Sequence, residues 1–175
     1  MSTILNTNGT SVEVPEINRN VAGNFYVITA DWNPTITYAL RDAAVGVLRR
    51  AGVPKDKIKV FPVAGTVELV NAAAAALNVS QGPTGHGCPE ATEGVIVIGC
   101  VIRGDTPHFD YVCQIAAQGV ATLNARGEAP VIFGVLTVDN QQQALDRAGG
   151  CLGNKGSEAA VAAIEMANYH ASLKA

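Results

Sequence analysis

The densest concentration of chemically competent side chains in this 175-residue sequence is Arg103-Gly104-Asp105-Thr106-Pro107-His108, which follows an apolar run and opens a helical pattern. Backbone N–H groups at such a turn point out at the dipole-positive helix end, where a phosphate is favoured. Many capping turns have the same composition, so the Gly, Asp and Thr leave both readings open. His108 adds a group that accepts and donates a proton near neutral pH, as a condensation or an elimination requires. A packing or capping histidine would look the same. Trp32 either stacks on a planar heterocycle or covers a sheet edge. Glu68 suits a helix start and Arg147 a helix end, with or without a ligand.

The four cysteines, Cys88, Cys100, Cys113 and Cys151, fall at unrelated spacings with no CxxC pair. His86-Gly87-Cys88 reads as loop, so no metal is expected. Cys100 in an apolar run and Cys113 in a helical pattern read as small hydrophobic thiols of a reduced compartment.

The elements that must position these groups follow from periodicity. Four runs, Asn24–Ala30, Ile58–Val63, 94–102 and Val131–Val138, are nearly continuous in Val, Ile and Phe, as in strands covered on both faces. Between them lie helical stretches. The first opens with Asn33 as N-cap and Pro34 in the first turn and stops at Gly52. A second spans about 67–77. A third follows His108, carries Phe109, Val112, Ile115, Ala116 and Val120 at three- and four-residue spacing, and stops at Gly127. Asp139 with Gln142 reads as the cap of a short helix to Ala148, and 157–173 as the last helix. Strand–helix alternation predicts an α/β fold with a parallel sheet and right-handed crossovers. Ligands of such sheets bind beyond the carboxyl ends of the strands, here 31–33, 64–68, 103–108 and 137–139. The Gly- and Pro-rich stretch 80–93 reads as an inserted loop and 149–156 as a glycine-dense hinge.

Composition narrows the function classes. Only 15% of residues are charged, 48% are hydrophobic, and the net charge is −3. Disorder and a basic nucleic-acid interface are excluded. Mean hydropathy is +0.20, yet the longest apolar run, 95–102, falls far short of the ~20 residues of a membrane span. Residues 1–20 show no secretory pattern and read as an extended arm ahead of one domain, 21–175, with a cytoplasmic location expected. The surplus apolar surface points to association with further copies of the chain.

The run Gly99-Cys100-Val101-Ile102-Arg103-Gly104-Asp105-Thr106-Pro107-His108-Phe109-Asp110-Tyr111-Val112 resembles the central signature of the lumazine synthases, the 6,7-dimethyl-8-ribityllumazine synthases of riboflavin biosynthesis. Ala30-Asp31-Trp32-Asn33, the segment from Phe61 to Leu69, Phe133 to Thr137, Gln143 to Gly149, Gly153 to Gly156 and Ala163 to Ala167 match in order, so the resemblance covers roughly 24–170. It implies a flavodoxin-like three-layer α/β/α sandwich around a four-stranded parallel sheet. It implies condensation of 5-amino-6-(D-ribitylamino)uracil with 3,4-dihydroxy-2-butanone 4-phosphate to the lumazine, phosphate and water, with no cofactor and no metal.

By the same resemblance, Trp32 would stack on the aminouracil ring, at a position the family often fills with Phe. Thr66, Val67 and Glu68 would hold the ribityl chain, and main-chain groups of Cys100, Val101 and Ile102 would line the pyrimidine pocket. Phe133 would reach that pocket from the adjacent subunit. Asp105, Thr106 and Arg147 would bind phosphate, and His108 would transfer protons. The implied assembly is a homopentamer, or a 60-subunit shell of twelve pentamers, with segment 10–16 laid on a neighbouring sheet and riboflavin synthase as a partner. Nucleic acid and membrane are not expected as partners. Ala64 replaces the usual proline, Thr66-Val67 replaces a small-plus-aromatic pair, and the 80–93 loop exceeds the family length. The rival readings are a non-catalytic flavin- or lumazine-binding protein and a shell protein on the same scaffold.

Overall fold

A computed structural model of the chain describes residues 12–79 and 91–174. Cys88, the His86-Gly87-Cys88 motif, nearly all of the 80–93 loop and the first eleven residues of the arm lie outside the described residues. In chain order the elements are β1 (Asn24–Ala30), α1 (Pro34–Arg50), a 3-10 turn (Lys55–Lys57), β2 (Ile58–Val63), α2 (Glu68–Val79) and β3 (Thr92–Ile102). They continue with α3 (His108–Ala125), β4 (Val131–Val138), α4 (Gln141–Asp146), β5 (Ala148–Gly150), β6 (Gly153–Asn154) and α5 (Lys155–Leu173).

The main sheet has the order β2-β1-β3-β4 and every pairing in it is parallel. Each residue of β1 is buried, as its unbroken apolar run requires of a central strand covered on both faces. Alternate side chains enter two cores. Phe25, Val27, Ile96, Ile98, Cys100 and Leu136 pack with α1 and α5 on one face. Tyr26, Ile28, Val95, Val97 and Val135 pack with α2 and α3 on the other. The result is the expected three-layer, flavodoxin-like α/β/α sandwich. β2 forms one edge, where Pro62 is tolerated and Val60 and Phe61 lie exposed.

On the α1 side, Ile36, Leu40, Ala44, Val47 and Leu48 form a buried stripe. Against it α5 turns the small residues Gly156, Ala159, Ala160, Ala163 and Ala167. A methyl group on Gly156 would overlap the Leu40 carbonyl, so only glycine lets the two helix backbones touch there. The arm from Glu16 onward lies against this layer of its own chain. Ile17 N–H donates to the Ala51 carbonyl, Asn18 N–H to Asn168 Oδ1, and Asn168 Nδ2 returns a hydrogen bond to the Glu16 carbonyl.

Several local expectations are corrected. Asn33 is not a side-chain cap for α1, because its backbone is left-handed (φ 58°, ψ 52°) and aims the amide elsewhere. The cap of α4 is Asn140, not Asp139: its extended backbone lets Oδ1 accept from Gln143 N–H, while Gln143 Oε1 accepts from Asp139 N–H. That helix ends at Asp146, and the start of α5 moves forward to Lys155 because Asn154 Oδ1 accepts from the Gly156 and Ser157 N–H groups. The 149–156 segment is no hinge. It holds most of the antiparallel β5–β6 ribbon, which begins at Ala148, and the first two residues of α5. β3 starts at Thr92, and α2 runs to Val79.

Candidate active site

The strand order places the crevice between β1 and β3, where the chain leaves one central strand toward each edge of the sheet. The loops after β1 and β2 and the end of β3 bring together Trp32, Thr66 and the main chain of Cys100. Trp32 is 70% exposed, so it covers no sheet edge. It leans toward Gly65: a methyl group there would lie 3.7 Å from the indole ring and 3.1 Å from Glu68 Oε2. Glycine at this turn therefore lets the ring and the carboxylate approach the same spot. Thr66 is buried and lies over Gly99, where a methyl group would come within 2.8 Å of Thr66 Oγ1. Val67 and Glu68 face outward at the start of α2.

Between these groups and β3 runs one cross-link. Asn33 Nδ2 donates to the Cys100 carbonyl at 3.1 Å. Cys100 is buried, Val101 and Ile102 half-buried, as β3 emerges from the core. Burial pushes the Cys100 thiol up to about 11, so it is a neutral packing group and not a nucleophile.

Beyond Ile102 the backbone turns into α3 through exposed Gly104, Asp105 and Thr106. The turn is held by Arg103. Its N–H donates to the Val138 carbonyl, and its guanidinium reaches Asp139 at 3.1 Å and Asp110 at 3.3 Å while lying 4.0 Å above the Phe109 ring. Exposed pairs of this kind contribute little stability singly. Here they tie the loop after β3 to the exit of β4 and the first turn of α3. No side chain caps α3, whose cap position is Pro107, so its leading N–H groups remain available to an anion beside Asp105, Thr106 and His108. His108 is the first residue of the helix and is exposed.

Two expected site residues are held by other elements of the chain. Arg147 is the C-terminal cap of α4, where Nη1 donates to the Leu152 carbonyl at 2.8 Å and the guanidinium pairs with Glu158 of α5. Phe133 lies early in β4, paired with Val97 and packed toward the α2–α3 core. It lies five positions before the strand end at Val138, about 17 Å of extended chain. The sequence offers Asn33 only as a helix cap, Arg103 only as part of the turn into the third helix, and Glu158 in no role. Asn tolerates left-handed backbone and Arg103 sits where β3 must turn, but Cys100 and Asp139, their partners across the sheet, come from distant segments.

Among the described residues no helix is long and apolar enough to cross a membrane, and no group of three or more His, Cys, Asp or Glu is placed to hold a metal ion. A family model described as 6,7-dimethyl-8-ribityllumazine synthase matches residues 23–171. A protein of that name from Bacteroides fragilis is 46% identical over 149 residues, which span 85% of this chain and 97% of the relative. The Porphyromonas gingivalis protein of the same name is 48% identical over 81% of each chain. The one from Cytophaga hutchinsonii is 42% identical over 92% of this chain and 93% of its own.

Proposed function

The chain belongs to the 6,7-dimethyl-8-ribityllumazine synthase family and is a transferase that carries out the lumazine-forming condensation of riboflavin biosynthesis; from that premise we propose how its own residues do so. The aminouracil ring stacks on Trp32, its ribityl chain runs past Thr66, Val67 and Glu68, and its pyrimidine edge meets main-chain groups of Cys100, Val101 and Ile102. The butanone phosphate sits at the uncapped start of α3 against Asp105 and Thr106. His108, one turn position away, moves protons as the amine adds to the ketone, water departs, phosphate leaves and the second ring closes. Holding phosphate on oriented N–H donors and an arginine makes it a better leaving group.

The observation that carries this reading is the convergence of three loop segments on the crevice between β1 and β3: Trp32 above Gly65, Thr66 above Gly99, and an uncapped helix beginning at His108. Purified protein mixed with both substrates should form fluorescent lumazine well above the slow uncatalysed rate. Background rate alone would refute it.

In this reading Phe133 and Arg147 complete a neighbour's site. The placement of Phe133 far from the strand end of its own chain supports it, as do the exposed Val60 and Phe61 on the edge strand. The assembly is a homopentamer, able to close as twelve pentamers into a shell, working in the cytoplasm and handing its product to riboflavin synthase. Sedimentation mass distinguishes pentamer from 60-mer, and a monomer would overturn the shared site.

A further inference from the structure

We propose that Asn33 is a positioning residue that sets the width of the substrate crevice. Among the described residues it is the only non-glycine residue with positive φ. Left-handed backbone is costly for most side chains and persists where the surroundings enforce it. Here the conformation has an identifiable result. It turns the Asn33 amide away from the first turn of α1, which it does not cap, and lays Nδ2 on the Cys100 carbonyl of β3.

That hydrogen bond crosses the switch point of the sheet. β1 and β3 are neighbours that are paired up to Thr29 and Ile98, so their exits can splay apart once the ladder ends. The Asn33 amide continues the tie beyond the ladder. On the β1 side it is bonded directly to Trp32, and on the β3 side to the carbonyl that begins the Cys100–Ile102 main chain. The two walls of the pocket are thus joined by one side chain. The inference rests on the placement of the aminouracil between Trp32 and the end of β3.

The hydrogen bond and the backbone conformation can be separated by mutation. Asn33→Gly adopts positive φ freely but has no amide. Asn33→Asp keeps size and left-handed tolerance, but its carboxylate cannot donate to a carbonyl. Both variants should raise KM for 5-amino-6-(D-ribitylamino)uracil by about fivefold or more, the scale of one lost hydrogen bond. KM for 3,4-dihydroxy-2-butanone 4-phosphate should remain within twofold, and acrylamide quenching of the single Trp should increase. Should Asn33→Gly fold poorly, Asn33→Asp carries the test. Trp32→Ala is assayed beside them. If Trp32→Ala raises KM for the aminouracil but neither Asn33 variant does, the positioning role is wrong and the site stands. If Trp32→Ala also leaves that KM unchanged, the placement of the substrate fails, and the inference with it.

Discussion

Arg147 and Glu158 form a two-point ion pair, with Nη1 3.0 Å from Oε1 and Nη2 3.1 Å from Oε2, joining the end of α4 to the first turn of α5. The guanidinium plane is thereby fixed before any ligand arrives. Lys155 Nζ reaches the same carboxylate at 3.3 Å, so Glu158 gathers two cations on one half-buried edge. A phosphate would meet this edge as an oriented positive surface.

Substituting Glu158→Gln should destabilise the fold by about 1–3 kcal/mol, since it leaves a largely buried guanidinium without its counter-ion. Urea unfolding reads this directly. Arg147→Lys keeps the charge but loses the planar fork, and should raise KM for the butanone phosphate by about tenfold while leaving the aminouracil KM unchanged. An equal rise in both constants would mean that Arg147 serves folding, not phosphate.

His108→Ala should lower kcat by about tenfold to a hundredfold, at or below the low end for a positioned acid–base group, because holding two substrates together supplies much of the acceleration. Steady-state formation of lumazine at saturating substrates measures it. A variant as fast as the parent would assign proton transfer to another group.

Gly99→Ala tests the packing beneath the site. Its new methyl would press on Thr66 Oγ1 at 2.8 Å and on Leu69 Cδ1 at 3.1 Å. Leu69 is fully buried and has no room to retreat. Stability should fall by about 1–3 kcal/mol, with a weaker hold on the aminouracil as Thr66 is displaced.

Cys100 gives a pH dependence of known sign. Burial raises its folded pKa from 9.0 to about 11. Below pH 9 the thiol is neutral in both folded and unfolded chains and its contribution is fully present. Between pH 9 and 11 the unfolded chain releases the proton and the folded one keeps it, so stability falls by up to roughly 2–3 kcal/mol. Unfolding midpoints of the parent should therefore drop more steeply across this window than those of Cys100→Ala. Parallel curves would show that the thiol is not held neutral by the fold. Iodoacetamide at pH 8 should label exposed Cys151 and spare Cys100.

Much of the scaffold was legible because strands covered on both faces read as unbroken Val and Ile runs, and β1 and β4 fall where those runs do; β2 also falls on its run, but it is an edge strand with no buried residue, so its apolar run does not mean cover on both faces. Helix caps were less so. Asn33 and Asn140 are the same residue type in similar contexts, yet one is left-handed and bonds across the sheet while the other is extended and caps. Backbone angles set by the strand exits decide between those uses, and composition does not encode them. The loops carrying Trp32, Thr66 and His108 could be placed at one end of the sheet from the alternation of elements alone. The Arg147–Glu158 pair could not, because the β5–β6 ribbon that brings the two together is only a few residues long and carries no strand-like pattern.

The contact between Gly156 and the Leu40 carbonyl also has a consequence for how the chain acquires its fold. Asn154 reaches back 115 residues to the Ala39 carbonyl, and Asn18 reaches forward 150 residues to Asn168. The part of the sheet face beside α1 that α5 covers therefore stays bare until α5 has left the ribosome. Such distant closures slow folding and prolong the exposure of apolar strands. Loss of the α5 segment, for instance through a premature stop after residue 154, should yield aggregated chains and not a smaller enzyme.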